Sequence, residues 1–288
     1  NHLGKLMKAG AGMLMIESTA VSKQGMITEK DLSLFNKENY LSFKKLIIFL
    51  KRKSNTKIGL QISHSGRKGS ALVPWIKSNH PIKNKKKSWT TFSASAIKRD
   101  SHWPSPRELS FIQIQKIVDD FANTAKKAKA IKFDCLEIHM SHGYLLHQFF
   151  SPISNKRKDK YGGSLENRCR LLLEISKKIR KIWPKNKVLG ARVNGYDWLK
   201  NGSSIGDCNH LVKKFKKIGF DYVCVTSGGI LPKTNLRYKP GYQVFLAKKM
   251  KKNNKILVRT AGMIKDLSHA NKIVKSGSAD LVSFAREF

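Results

Sequence analysis

Residues 133–144 read FDCLEIHMSHGY, an apolar run that ends in three proton-bearing side chains. The run is short and almost continuously hydrophobic, which is typical of a parallel strand covered by other elements. His139 lies at the end of this predicted strand, and His142 and Tyr144 follow just beyond it. Because α/β folds carry their chemistry at the carboxyl ends of parallel strands, the stretch predicts both an α/β fold and a functional site.

Six further apolar runs of this kind alternate with helical patterns along the chain. They lie at residues 12–18, 57–64, 188–195, 220–227, 255–262 and 279–285. Seven strand–helix units are one short of the eight that close a TIM barrel. We therefore expect an α/β fold of the TIM (β/α)8 barrel class that lacks its first strand and its last helix. A doubly wound open sheet is the alternative architecture.

The helices between the strands have recognisable ends. Ser110 and Gln113 form a predicted capping box, Gly219 ends another helix, and Asp266 begins a later one. The chain starts with Asn1 rather than Met and stops directly after an apolar run, so we expect one domain over residues 1–288 that is truncated at both ends. Two connections, 65–108 and 143–164, are too long for simple barrel turns. Both follow strands, which places them at the carboxyl face.

The charge of the chain is strongly positive, with 57 Lys and Arg against 19 Asp and Glu, a net charge of +38. The 45 lysines among them are spread over most of the predicted helices. A nucleic-acid site concentrates its basic residues on one face, with arginines and aromatic residues among them. We therefore interpret the lysines as solvated outer faces and expect no specific nucleic-acid partner.

The cysteines and the hydropathy pattern indicate the compartment in which the protein works and whether it spans a membrane. None of the four cysteines forms a Cys-x-x-Cys pair, and two of them lie in predicted strands. This favours buried, reduced thiols and a cytoplasmic protein over a disulfide framework or a zinc site. No stretch approaches the ~20 consecutive apolar residues of a membrane span, so we expect no membrane partner.

Polar side chains recur where the predicted strands end. Gln61 is in the second run, and Arg192 interrupts the apolar run 188–195. A buried cation requires an anionic or electron-rich partner, and one interpretation of Arg192 is a salt bridge to Glu137 on the neighbouring strand. The last two runs end near Gly262 and Arg286, the usual phosphate position of this fold.

Several segments resemble the Old Yellow Enzyme family, in particular its branch of bacterial NADPH dehydrogenases and xenobiotic reductases. They are HSGRKGS (64–70), WPSPRELS (103–110), the block 137–170, RTAGM (259–263) and ADLVSFARE (279–287). The resemblance implies a TIM barrel with non-covalent FMN that uses NADPH or NADH to reduce activated alkenes, with a small enone-type molecule as substrate. It also implies a homo-oligomer when the protein is full length, because an arginine of this branch, expected beyond Phe288, reaches into the partner's active site.

The resemblance also implies roles for individual residues. Gln61 is expected to hydrogen-bond the pyrimidine edge of the flavin, Arg192 to face its N1/O2 side, and Ser18 to touch the ring. The residues expected to hold the phosphate are Gly262, Met263, Ala285 and Arg286. His139 and His142 match the pair that binds the substrate carbonyl oxygen, and Tyr144 matches a residue linked to proton delivery. Ala285 departs from the family, which usually has glycine there.

Other interpretations of these residues remain open at this stage. His139 and His142 could bind a metal together with His147, although no carboxylate or cysteine completes the set, or they could be hydrogen-bonded core residues. The barrel could also be the front of a larger iron–sulfur flavoprotein such as a dienoyl-CoA reductase. A tRNA-dihydrouridine synthase would suit the charge, but its Asn-x-x-Cys-Pro motif is absent.

Overall fold

A computed structural model of the protein describes residues 2–285. In chain order its elements are α1 (His2–Lys8), β1 (Met13–Ala20), α2 (Lys37–Lys53), β2 (Lys57–Ser63), α3 (Pro74–Lys77), β3 (Phe92–Ser93), β4 (Arg107–Glu108), α4 (Phe111–Ile131), β5 (Cys135–Met140), α5 (Leu145–Phe150), α6 (Leu165–Ile182), β6 (Val188–Asn194), α7 (Ile205–Ile218), β7 (Tyr222–Thr226), α8 (Val244–Asn253), β8 (Leu257–Thr260), α9 (Leu267–Lys275) and β9 (Leu281–Val282).

The seven predicted strands form one curled parallel sheet within residues 2–285. Its order is β1-β2-β5-β6-β7-β8-β9, so each strand pairs with the next strand of the sheet along the chain. A doubly wound sheet would reverse its order at a switch point, and this sheet does not. The expected fold class, a partial α/β barrel with helices between its strands, is therefore confirmed.

The two faces of the sheet differ in chemistry. In β5, Leu136, Ile138 and Met140 belong to the large hydrophobic core that the surrounding helices complete. The alternate residues Glu137 and His139 point to the concave face, because successive side chains of a strand point to opposite faces. Both are buried there, with 0% and 3% of their surfaces exposed. The strand that looks uniformly apolar in sequence thus has a polar inner face.

The helix ends follow the local signals in the sequence. The Ser110 side chain accepts a hydrogen bond from the backbone of Gln113, whose side chain accepts one from the Ser110 backbone, which confirms the capping box. Gly219 ends α7 in the left-handed conformation with φ of 95°. The Asp266 side chain caps α9. No helix in the described part of the chain has the length and apolar character needed to cross a membrane.

The two long connections lie at the carboxyl end of the sheet and are tied to each other. Arg157 donates hydrogen bonds to the backbone carbonyl oxygens of Ala94 in the first connection and of Leu109 directly after it. It also forms an ion pair with Asp159 at 2.6 Å, within the second connection. Because β2 and β5 are neighbours, the two connections meet directly above the ends of these strands.

Candidate active site

The three side chains predicted to be catalytic lie together at the carboxyl end of β5. The ring centroids of His139 and His142 are 5.2 Å apart, and the ring centroid of Tyr144 lies 4.9 Å from that of His139. His139 is buried, whereas His142 and Tyr144 are half-buried. The structure therefore brings two imidazoles and a phenol to one opening.

A sharp turn directs His142 toward this opening. His142 has φ of 57° and the following Gly143 has φ of 74°, so the chain passes through the left-handed region twice in succession. A Cβ atom at Gly143 would lie 2.0 Å from the carbonyl oxygen of Gly229, in the loop after β7. Only glycine allows this close approach of two backbones. The loop after β7 thus braces the turn that carries His142.

Side chains from three positions bind the backbone of the same turn. The Gly143 N–H donates to Nδ1 of His147 at 2.8 Å, and Nε2 of Gln148 donates to the Gly143 carbonyl at 2.7 Å. Nζ of Lys68 donates to the carbonyl of His142 at 2.9 Å. The turn that carries His142 is therefore held by two side chains of α5, the helix that follows it, and by Lys68 from the connection after β2.

Both site histidines are neutral imidazoles. Burial, together with the nearby positive charges of Arg192 and Lys68, holds the pKa of His139 and of His142 well below the usual range. The backbone N–H of Ser141 donates to Nδ1 of His139 at 3.2 Å, so the ring proton of His139 is on Nε2. A neutral imidazole has one N–H group, so each ring offers one hydrogen-bond donor to a ligand.

Tyr144 is a protonated phenol across the working pH range. Burial and the carboxylate of Asp31 raise its pKa to about 12, although Arg192 and Arg99 oppose the shift. Within residues 2–285 its hydroxyl group makes no hydrogen bond, so the proton is available to a ligand in the opening. This state is the one that proton delivery requires.

Lys68 is a site residue that sequence reasoning missed. Its Nζ lies 4.8 Å from the centroid of the Tyr144 ring, over the ring face. Burial, together with Arg99 and Arg67, lowers the pKa of Lys68 to about 7. No carboxylate of the described chain pairs with it. Its place in the segment HSGRKGS was the available signal, because that segment follows a strand of the predicted barrel.

The inner face of the sheet holds a buried polar network centred on Glu137. Nε2 of Gln61 and the hydroxyl group of Tyr222 each donate to the Glu137 carboxylate at 2.6 Å. Arg259 completes the network as the ion-pair partner of Glu137. Because Nε2 of Gln61 donates to Glu137, the orientation of the Gln61 amide is set, and no described group donates to its Oε1 atom.

The interpretation of Arg192 as the salt-bridge partner of Glu137 is wrong. Arg192 pairs in register with His139, while Gly190 lies opposite Glu137, and Arg259 occupies the carboxylate instead. The Arg192 side chain makes no hydrogen bond or ion pair with the rest of residues 2–285, and its Nε atom is buried. A half-buried guanidinium whose Nε atom is buried and unpaired points to a ligand at this position.

The segment predicted to hold the phosphate lies at the ends of β8 and β9. Gly262 and Met263 follow β8 with φ of 115° and 51°, and the Gly241 N–H donates to the Gly262 carbonyl at 3.1 Å. Ala285 is exposed and follows β9, the neighbour of β8. Arg286 lies outside the described residues. The structure thus places Gly262, Met263 and Ala285 at the same end of the sheet.

Ser18 is the predicted flavin contact on β1, the strand at the other edge of the described sheet. It is half-buried, and its side chain makes no hydrogen bond within the described chain. The pairing of β1 with β2 shifts between Ile16 and Thr19, so Ser18 lies in an irregular stretch of the strand. Such irregularities often redirect a side chain next to a site.

These residues fit the FMN that the resemblance implies. Gln61 presents an unused amide oxygen, which suits the N–H group of the flavin pyrimidine. Arg192, on the second strand from that of Gln61, presents an unpaired cation, which suits negative charge on the N1/O2 side. The positive φ at Gly262, next to the end of β8, suits a backbone that approaches a phosphate closely.

The geometry of the described residues does not support the alternative of a metal site that includes His147. His147 lies in α5 with 0% of its surface exposed, where its Nε2 is bonded to Asp197 at 2.8 Å, so it is a structural residue. No group of three or more His, Cys, Asp or Glu in residues 2–285 is placed to hold a metal ion. All four cysteines are free and buried, and burial raises the pKa of Cys135 and of Cys169 to about 12.

Known proteins with similar structures have the same barrel. The structure of 2-naphthoyl-CoA reductase in complex with 2-naphthoyl-CoA matches with a TM-score of 0.87 at 24% identity over 99% of this chain, which spans 44% of that protein. Morphinone reductase in complex with tetrahydroNAD matches with a TM-score of 0.79 at 22% identity, over 97% of this chain and 75% of its own. At these identities the likeness concerns the fold.

Sequence comparisons define the family. An NADH:flavin oxidoreductase of Gibberella zeae is 38% identical over the whole chain, which covers 73% of that protein. The NADPH dehydrogenase of Bacillus subtilis is 36% identical over 96% of the chain, which covers 76% of that protein. The family model matches residues 4–288. The chain is therefore a member of the NADH:flavin oxidoreductase / NADH oxidase family, an FMN-dependent oxidoreductase that takes its electrons from NAD(P)H and belongs with the Old Yellow Enzymes.

Proposed function

We propose that this oxidoreductase is an ene-reductase, which reduces the C=C bond of α,β-unsaturated carbonyl compounds. The observation that carries the proposal is the placement of two neutral imidazoles and one protonated phenol at a single opening. Reduction of an activated alkene needs donors at the carbonyl oxygen and an acid near the α-carbon. His139 and His142 are suited to the first task, and Tyr144 is suited to the second.

His139 and His142 act as the donor pair. When hydride reaches the β-carbon, negative charge develops on the carbonyl oxygen of the substrate as an enolate forms. Neutral N–H donors fixed before the reaction stabilise that charge more than they stabilise the ground state, and this difference lowers the barrier. Nε2–H of His139 has no competing acceptor among the described residues, because the Ser141 backbone uses only Nδ1.

Tyr144 completes the addition of hydrogen across the double bond. Its phenol donates a proton to the α-carbon, and solvent restores that proton afterwards. Gln61, Arg192, Gly262, Met263 and Ala285 would hold FMN, together with Arg286 and Ser18. When bound, FMN supplies the hydride that NAD(P)H has provided.

The test uses the flavin-loaded protein and the double variant His139→Ala, His142→Ala. Titration with 4-hydroxybenzaldehyde should produce a long-wavelength charge-transfer band in the unmodified protein, because a phenolate oxygen accepts from both imidazoles. The double variant should lose this band. It should also reduce cyclohexenone at least ~100-fold more slowly, the typical effect of losing one such donor, while NADPH reduces its flavin at a similar rate.

A matched control is His102→Ala, which removes an exposed histidine and should leave the band and both rates unchanged. A double variant that reduces cyclohexenone at the unmodified rate would show that these histidines are not the donors. Absence of any activity with enones in the unmodified protein, together with no band, would refute the proposed reaction itself.

A further inference from the structure

A buried carboxylate behind the site accepts four hydrogen bonds. Oδ1 of Asp197 accepts from Nε2 of His147 and from Nδ2 of Asn194, both at 2.8 Å. Oδ2 accepts from Oγ of Ser151 and from the backbone N–H of Ser203, both at 2.7 Å. These four bonds fill the acceptor positions of a carboxylate. None of the Asp197 surface is exposed.

Asp197 is therefore an ionised acceptor of fixed orientation. Burial alone would raise its pKa, but its contacts with His147 and the hydrogen bonds from Ser151 and Ser203 outweigh burial and lower it. An ionised carboxylate with four donors cannot itself donate a proton. The nitrogen of His147 that faces Asp197 must consequently carry the hydrogen of their bond.

This bond determines the tautomer of His147. With its proton on Nε2, the neutral ring presents the lone pair of Nδ1 on its other side. That lone pair accepts the backbone N–H of Gly143 at 2.8 Å. The opposite tautomer would place an N–H against the N–H of Gly143, where two donors repel each other. The carboxylate of Asp197 thus determines whether the turn at Gly143 is held.

The hydrogen bonds between Asp197 and His147 and between His147 and Gly143 reach the site at the backbone N–H of Gly143. Gly143 directly follows His142, and both have positive φ. The turn has no room to relax toward β7, because Gly229 lies against it. A loss of the Gly143 bond would therefore shift the turn away from Gly229 and move the attached imidazole.

We propose that Asp197 and His147 are positioning residues for substrate binding: Asp197 fixes the His147 tautomer, His147 holds the Gly143 amide, and the held turn places the His142 donor. This inference rests on the proposed function, because it assumes that His142 binds the carbonyl oxygen. Neither residue touches the opening, and each acts through the next. The pair connects the loop after β6 to the turn after β5, and so links two neighbouring strands of the barrel at the site.

Two substitutions of His147 separate the two bonds of its ring. His147→Asn places a carboxamide oxygen near the position of Nδ1, so it retains an acceptor for Gly143 and loses the bond to Asp197. His147→Gln places its amide nitrogen near the position of Nε2, so it retains the bond to Asp197 and loses the acceptor. Both replace a fully buried ring, so the cost to the hydrophobic packing is similar.

The experiment measures 4-hydroxybenzaldehyde affinity by the charge-transfer band of the flavin-loaded protein, alongside the thermal midpoint. Positioning predicts at least a tenfold weaker affinity for His147→Gln and a change of less than about threefold for His147→Asn, with similar losses in thermal midpoint. Equal affinities in the two variants would overturn the inference. A missing band in the unmodified protein would instead refute the proposed function, so the two failures are distinct.

A second measurement needs no variant to fold. In the unmodified protein labelled with 15N-histidine, the ring nitrogens of His147 should show a proton on Nε2 and none on Nδ1 at pH 8. A protonated Nδ1 would overturn the inference, because the Gly143 N–H would then face a donor.

Discussion

Arg259, on β8, is the ion-pair partner of Glu137, on β5, although β6 and β7 lie between these two strands. The pair crosses the concave face of the sheet, where 0% of Glu137 and 7% of Arg259 are exposed. Tyr222 and Gln61 bind the same carboxylate. The pair thus lies on the inner face below the strand ends, and the Arg192 side chain keeps no ion-pair partner among the described residues.

Glu137→Gln should destabilise the protein by about 3–5 kcal/mol, because it leaves the buried charge of Arg259 without its counter-ion. The free energy of unfolding from urea titration, followed by tryptophan fluorescence, measures this change. The double variant Glu137→Leu, Arg259→Met should recover a large part of the loss, since an apolar pair of similar volume replaces two charges. Equal stability of Glu137→Gln and the unmodified protein would contradict the ion pair.

Arg192→Ala should weaken FMN binding by about 10–100-fold, an energy of roughly 1.4–2.8 kcal/mol. The reason is the loss of a cation that faces the cofactor site. The urea midpoint of the flavin-free protein should not change, because Arg192 has no ion-pair or hydrogen-bond partner within the described residues. The measurement is the FMN dissociation constant from flavin fluorescence. Arg192→Lys is the matched control, and it should retain part of the affinity.

Tyr144→Phe should slow the oxidation of reduced flavin by cyclohexenone about 100-fold or more, because the acid for the α-carbon is lost. Binding of 4-hydroxybenzaldehyde should remain within a few-fold of the original, since both imidazole donors are intact. Because the pKa of Tyr144 is about 12, its active protonated form persists below that value. The stopped-flow rate of flavin oxidation in the unmodified protein should therefore not fall through deprotonation of Tyr144 between pH 6 and pH 9.

Gly143→Ala should be far more harmful than Gly163→Ala. Both glycines have positive φ, 74° and 76°, but a Cβ at Gly163 meets nothing within 4 Å, whereas at Gly143 it meets the Gly229 carbonyl at 2.0 Å. Gly163→Ala should cost about 1 kcal/mol of backbone strain. Gly143→Ala should cost several times as much and also abolish the charge-transfer band. Similar unfolding energies for the two variants would show that the close approach of the two backbones is absent.

Acid should destabilise the fold from about pH 6.5 downward. Burial lowers the pKa of His64 to about 3 and the pKa of His139 and His142 well below the usual 6.5. Below pH 6.5 the unfolded chain binds protons at these rings and the folded chain does not. Each ring therefore removes up to about 1.4 kcal/mol of unfolding free energy per pH unit.

Urea titrations at pH 7, 6 and 5 measure the slope of the unfolding free energy against pH. The double variant His139→Asn, His142→Asn should show a shallower slope than the unmodified protein, because two of the three rings no longer titrate. An identical slope in the double variant would mean that these two histidines are accessible to protons in the folded state.

Much of the architecture could be predicted from short stretches of sequence. The runs that became β1, β2 and β5 to β9 were visible as apolar segments, and the Ser110 capping box and the Gly219 helix end were visible as local motifs. These signals depend on residues a few positions apart. The cluster of His139, His142 and Tyr144 was also visible, since all three lie within six positions of one strand end.

The sequence by itself therefore determined where the strands lie along the chain, the helix ends and the place of the site at the end of β5. Only the tertiary structure decided which arginine pairs with Glu137, because that partner is 122 positions away and is selected by strand register and curvature. The tertiary structure also decided the roles of Lys68 and Asp197, which lie in other connections. Lys68 donates directly to the turn at His142, whereas Asp197 contacts this turn through His147. The physical reason is that helix and strand periodicity is a local property of the chain, whereas the pairing of buried charges depends on which side chains the closed packing brings within reach of one another.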